Sequence, residues 1–143
     1  MDIQNYIDEY LKEISAIAQQ INHEQILIAL DILREIKKSG GRIFFLGVGG
    51  GAASASHAAN DFNKIAKIAT FCLTDNVGLL TALTNDEGWE MVFQRQLEMY
   101  HLNASDALFI YSVGGGSETT SKNLVLAINY AKEKKAKILG VVG

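Results

Sequence analysis

Apolar residues in this chain follow two rhythms. Over the first forty positions they recur every three or four residues: Ile3, Tyr6, Ile7, Tyr10, Leu11, Ile14 and Ile17, then Ile26, Leu27, Leu30, Leu33 and Ile36. That spacing predicts two amphipathic helices. Asn22, with Gln25 three residues on, is a capping-box pattern for the second, and Gly40-Gly41 stops it. Beyond this point the rhythm changes to short apolar runs at 43–46, 68–73, 107–111 and 137–142, which read as strands, the first two buried. Helical stretches are predicted between them, from 52 to about 64, at 77–83, at 89–100 and from about 119 to 134. Residues 84–88 are expected to interrupt the helical pattern, with Asp86 capping the helix that follows and Val92, Phe93, Leu97 and Tyr100 turned inward. Strands alternating with helices imply a parallel sheet with right-handed crossovers, a three-layer α/β fold.

Two of the predicted strands end in the same tetrapeptide, Val-Gly-Gly-Gly, at 48–51 and 113–116, each ahead of a helix. In a doubly wound sheet such loops lie at the carboxyl edge, where ligands bind. A glycine loop running into a helix N-terminus presents free amides and positive potential, and a phosphate is the expected guest. Around the second loop stand Ser112, Ser117, Thr119, Thr120 and Ser121. One helix needs a single N-cap, so the surplus of hydroxyls favours phosphate binding over capping alone. His57 and Asp61 are spaced i, i+4, one or two turns past the first loop. On one helix face they could ligate a divalent metal or act as acid and base beside a bound phosphosugar; a hydrogen-bonded pair on a solvated face is the plain alternative. Ser54 and Ser56 read as surface or packing residues, and His23 and His101 as surface histidines.

Gly47, Gly49 and Ala52 also fit the dinucleotide fingerprint, with Asp75 near the end of the second strand as the ribose carboxylate. Two leading helices and a second glycine loop weigh against that reading, so no nucleotide cofactor is expected. The chain has 143 residues, 48% hydrophobic and 20% charged, with a net charge of −3. This composition suits one globular domain and argues against nucleic acid as a partner. No apolar run approaches the roughly 20 residues of a membrane span, and the acidic start is unlike a secretory signal. Cys72 stands alone, which implies a small buried hydrophobe and no disulfide framework. A cytoplasmic location is expected. Residues 1–40 are expected to form a helical pair, either an oligomer interface or a cover for its own domain, and 41–143 the α/β domain. The final strand would leave an apolar edge free at Gly143, so a covering partner or a continuation of the chain is expected, the latter favoured.

GVGGGAASASHAAND, TALTNDEGWEMVFQRQ and SVGGGSETTSKN, in that order, resemble the sugar isomerase (SIS) domain, and within it the phosphoheptose isomerases. The resemblance runs from Gly41 to Gly143 and makes 41–143 a phosphosugar-binding domain. It implies a flavodoxin-like α/β/α domain that converts sedoheptulose 7-phosphate to D-glycero-D-manno-heptose 7-phosphate, a precursor of the heptose of surface lipopolysaccharide. It also implies a homotetramer, and zinc in many members. By this resemblance Ser112 and Ser117, helped by Thr119 and Thr120, would hold the phosphate. Gly50, Gly51 and Ala52 would lie along the sugar, and Asn85 and Asp86 would line the site. His57 would bind metal, and Asp61 would serve as metal ligand and general base, standing where the family has a glutamate. Val48 and Gly51 occupy positions of the family's usual Asn and Ser, and the family's C-terminal helix would lie beyond Gly143. These departures open a second reading, a non-catalytic SIS domain that binds a phosphosugar or a protein partner.

Overall fold

The computed structural model describes residues 2–117 and 119–143. They form two compact units, one ending at Asp31 and the other Ile32–Gly143. In the first, Asp2 Oδ1 accepts the Gln4 amide to cap α1 (Ile3–Gln20). Asn22 Oδ1 accepts the amides of Glu24 and Gln25, at 2.9 and 3.2 Å, to start α2 (His23–Ser39). No residue of α1 is buried, and its apolar stripe, including Ile3, Tyr6, Tyr10 and Leu11, is exposed.

The second unit begins inside α2 because Ile32, Leu33 and Ile36 pack with the sheet's own residues. Its four strands, β1 (Arg42–Gly47), β2 (Ala69–Cys72), β3 (Ala107–Ser112) and β4 (Lys137–Val142), are ordered β2-β1-β3-β4 and all parallel. Ile43 stands opposite Thr70 on one side and Ala107 on the other. With a neighbour on each edge, β1 buries every residue after Arg42. Its side chains alternate between two cores. Phe44 and Leu46 join Phe93, Leu97, Leu124 and Ala127 on one face, while Ile43 and Phe45 join Ile36, Ala55 and Ala59 on the other. Each large side chain so buried contributes about 1.5–3 kcal/mol. This is the expected α/β/α layering.

Four expectations are corrected. β2 is not buried on both faces: Thr70 and Cys72 are buried but Ala69 and Phe71 are exposed, as an edge strand allows. The helix after the first glycine loop, α3 (Gly50–Asp61), does not run regularly to 64 but widens into a π-helical turn over Phe62–Ala66. Residues 84–88 do not break the next helix, since α4 (Val77–Glu87) continues through Asn85 and Asp86. Asn76 Oδ1 caps it by accepting the Leu79 amide, the Thr81 and Thr84 hydroxyls bond back to the Val77 and Leu80 carbonyls, and Gly88, at φ 92°, ends it. Asp86 therefore caps nothing; its carboxylate accepts the Asn85 carboxamide, and a 3₁₀ turn (Trp89–Met91) leads into α5 (Val92–Met99). The last helix, α6 (Lys122–Glu133), starts later than 119, because Thr119 and Thr120 belong to the preceding loop. Val92, Phe93 and Leu97 are buried as expected, and so is Cys72. Among the described residues, no helix is long and apolar enough to cross a membrane.

Candidate functional site

The strand order puts the two glycine loops side by side. The crossover from β1 goes to β2 on one side and that from β3 to β4 on the other, so the chain diverges between β1 and β3, the point where open α/β sheets bind ligands. The loops following these two strands form the rim of an open cleft of about 740 Å³. Gly50, Gly51 and Ser54 line it from the first loop and α3, and Ser112, Thr120 and Ser121 from the second.

Small residues bring these parts together. A Cβ on Gly47 would stand 2.3 Å from the Gly51 carbonyl oxygen, and one on Gly51 would stand 2.5 Å from that of Tyr111. The first turn of α3 is thus set directly against the ends of both central strands. Neither α3, preceded by Gly49, nor α6, preceded by Ser121 at φ 51°, has a side-chain cap. Two helix N-termini therefore turn positive dipole ends toward this edge of the sheet, although the Gly51 amide donates to the Val48 carbonyl at 3.0 Å and Asn123 Oδ1 accepts the Leu124 amide at 2.8 Å. In the second loop, Ser112 Oγ accepts the Gly115 amide at 3.1 Å, while Ser117 Oγ accepts those of Thr119 and Thr120 at 3.3 and 3.0 Å. Because Ser112 Oγ acts as an acceptor toward the backbone, its O–H can donate to a ligand, while the Ser117 hydroxyl also lies 3.4 Å from that of Thr119. A site of backbone amides and hydroxyl donors with no lysine or arginine in its lining suits a phosphate.

A second cleft, about 560 Å³, adjoins the first and shares Ser54 and Tyr111 with it. His57 and Asp61 line this one, beside Ala53, Ala58 and Phe62. The i, i+4 spacing produces a real contact, with His57 Nε2 3.2 Å from Asp61 Oδ2. The pair is open to solvent, His57 78% and Asp61 44% exposed at the side chain. Tyr111 forms the common wall. Its ring stacks on Phe109 at 5.2 Å and lies 6.3 Å from Phe45, and burial raises its phenol above the ordinary value.

Of the residues the sequence singles out, Gly50, Gly51, Ser112 and Thr120 share the first cleft, and His57 and Asp61 share the second. Ala52 lines neither; its amide is spent on the Gly49 carbonyl. Ser117 and Thr119 fold the loop without lining the cleft, and Asn85 and Asp86 are exposed on α4 and line neither cleft. Sequence reasoning missed Ser54 and Tyr111. The signal for Ser54 was present, since 54, 57, 58 and 61 follow one helix face. For Tyr111 it was an aromatic residue at the carboxyl end of a parallel strand.

The SIS domain profile matches residues 6–143. The chain belongs to the SIS domain family. The phosphoheptose isomerase of Campylobacter jejuni (strain 81116) is 36% identical to this SIS domain over 97% of the chain and 76% of its own length. The lincomycin biosynthesis protein LmbN of Streptomyces lincolnensis is 37% identical over 73% of the chain, which spans only 41% of LmbN. Among solved structures, the phosphoheptose isomerase GmhA of Neisseria gonorrhoeae superposes with a TM-score of 0.86 at 27% identity, covering 99% of this chain and 75% of that one.

Proposed function

We propose that this SIS domain is a phosphosugar isomerase that interconverts sedoheptulose 7-phosphate and D-glycero-D-manno-heptose 7-phosphate. Relatives that carry the name phosphoheptose isomerase over most of the chain support the substrate class. The observation that carries the reading is the pair of joined clefts, a phosphate-type site at two helix N-termini opening into one that holds a carboxylate and an imidazole.

The phosphate would lie in the first cleft against the α3 and α6 amides and the Ser112 and Thr120 hydroxyls. The open sugar chain would pass Ser54 into the second. There Asp61 would take a proton from C1 of the ketose; the freed electron pair forms the C1–C2 double bond as the carbonyl oxygen gains a proton. Return of a proton to C2 and loss of the O1 proton leave the aldehyde, so the atoms balance with no other reactant. His57, 3.2 Å from Asp61, would orient the carboxylate and exchange protons with the sugar oxygens. General acid–base catalysis of this kind contributes about 10²–10⁴-fold in rate.

Zinc, when bound, would polarise the carbonyl, with His57 and Asp61 as ligands. Zinc sites take three or four protein donors, and among the described residues no group of three His, Cys, Asp or Glu is placed to hold a metal. The two present do not complete a zinc site, so no step runs through one. The exposed apolar stripe of α1 supports self-association; a cytoplasmic homotetramer is the proposed form.

The exposure of the His57–Asp61 pair favours a second reading, a SIS domain that binds a phosphosugar without turning it over. An NMR time course with sedoheptulose 7-phosphate, with and without zinc, separates the two. Growth of aldose anomeric signals, lost in Asp61→Asn, supports the isomerase. Ligand-induced shifts with no new sugar support the binder.

A further inference from the structure

Ser54 and Tyr111 are common to both clefts, and they differ in what they can offer a ligand. Ser54 sends its hydroxyl proton back to the Gly50 carbonyl, 3.2 Å away, within its own helix. Among the described residues no hydrogen bond commits the Tyr111 phenol, and burial raises its pKa. The phenol therefore remains protonated, and a donor, throughout the neutral range. Its position is fixed from two sides. The ring is held in the stack with Phe109 and Phe45, and the backbone of Tyr111 lies against Gly51, where there is no room for a Cβ. A half-buried donor on a rigid aromatic ring thus belongs to the lining of both a phosphate-type cleft and a carboxylate-bearing one.

We propose that Tyr111 is a specificity-determining residue, whose phenol hydrogen-bonds a hydroxyl in the middle of the bound sugar chain, between the phosphate and the reacting carbons. The proposal rests on the phosphosugar reading above and names the group by which the site tells a sugar phosphate from phosphate alone. Apolar residues stand beside the polar ones on this lining, Phe62 and Ala58 in the second cleft and Val113 and Val141 in the first. Ring and hydroxyl play separable parts, since the ring closes the wall and the hydroxyl reads the chain.

The test is a calorimetric titration of the full chain and its Tyr111→Phe variant with inorganic phosphate and with sedoheptulose 7-phosphate, alongside the turnover assay. Phenylalanine keeps the ring stack, and matching thermal melts verify the fold. The expected result is an unchanged affinity for inorganic phosphate, with about three- to tenfold weaker binding of the sugar phosphate, the effect of one neutral hydrogen bond. Where the variant turns over, KM rises by a similar factor. Equal affinities of the wild type and Tyr111→Phe for the sugar phosphate would overturn the proposal, as would a wild type that binds the sugar phosphate no tighter than phosphate. Turnover by the wild type alongside equal affinities would overturn only the role of Tyr111. A threefold or larger loss in a chain with no turnover would instead overturn the isomerase reading and support the phenol contact.

Discussion

The carboxamide of Asn63 pairs with both backbone groups of Thr70, donating from Nδ2 to the carbonyl at 2.9 Å and accepting the amide on Oδ1 at 3.1 Å. Thr70 lies on β2, the edge strand, and a side chain thus occupies the place of another strand. The π-helical turn that begins at Phe62 carries Asn63, and Ala59 at the end of α3 accepts from both Asn63 Nδ2 and the Thr70 hydroxyl. An open strand edge invites pairing with another chain, and this one is closed by a primary amide. Asn63→Ala is expected to destabilise the domain by about 1–3 kcal/mol and to raise its tendency to aggregate. Urea unfolding and light scattering during a slow thermal ramp check both, and an unchanged midpoint would refute the edge role.

At the amino end of β1, one register position from the Thr70 pairing, Asp106 collects the start of the strand. Its carboxylate, 1% exposed, accepts from the Arg42 amide, from Nε at 3.1 Å and Nη2 at 2.6 Å, and from the amide and side chain of Asn103. The remaining Arg42 nitrogen donates to the Tyr100 carbonyl, and the guanidinium sits 5.1 Å over the Phe44 ring. Removing the buried carboxylate leaves the donors of Asn103 and of the partly exposed Arg42, 28% exposed at the side chain, without their acceptor, so Asp106→Ala is expected to cost about 1–3 kcal/mol. Denaturant unfolding measures it. Because the pair lies at the amino end of the strands, phosphate affinity of the folded fraction should not change.

Gly51 stands where the resemblance has a serine, yet a Cβ there would meet the Tyr111 carbonyl at 2.5 Å. Both partners are backbone, so the end of β3 must move. Gly51→Ser should therefore lower stability by about 1–3 kcal/mol, as overpacking does, and should weaken rather than improve sugar-phosphate binding. Tighter binding in a titration calorimeter would overturn this account of the loop.

Cys72 is 8% exposed, and burial raises its thiol pKa above the ordinary 9.0, against the Thr74 hydroxyl at 3.2 Å. With the neutral form favoured in the fold, its contribution to stability is complete below the unfolded thiol's pKa. It declines as pH rises past that value, because the unfolded chain ionises while the folded one does not. Iodoacetamide at pH 8 should modify native Cys72 at least about tenfold more slowly than the urea-unfolded thiol. Equal rates would show the residue to be open.

The strands were legible because each is an apolar run bounded by glycine or polar residues, and the parallel order followed from the alternation with helices. The errors share a cause: local composition was overridden by partners distant in sequence or by side chains bonding to backbone. Thr84, Asn85 and Asp86 are weak helix formers, yet α4 passes through them, supported by the Asn76 cap and by threonine hydroxyls bonded back to carbonyls. Ser117 draws the amides of Thr119 and Thr120 into a turn and so delays α6. In the site, spacing revealed the His57–Asp61 contact. Tyr111 was hidden because a strand's alternation does not distinguish a residue that faces a core from one that faces a cleft at the strand's end.

β1 and β3 lie side by side, yet Ile43 pairs with Ala107 across nearly half the chain. Neither glycine loop can form the cleft alone, so the binding site comes into being only when this long-range pairing is complete. Such pairing is the slow part of folding an α/β domain. A phosphorylated ligand then distinguishes finished molecules from unfinished ones and holds the finished form by mass action: the metabolite bound at the sheet's seam would double as its clasp.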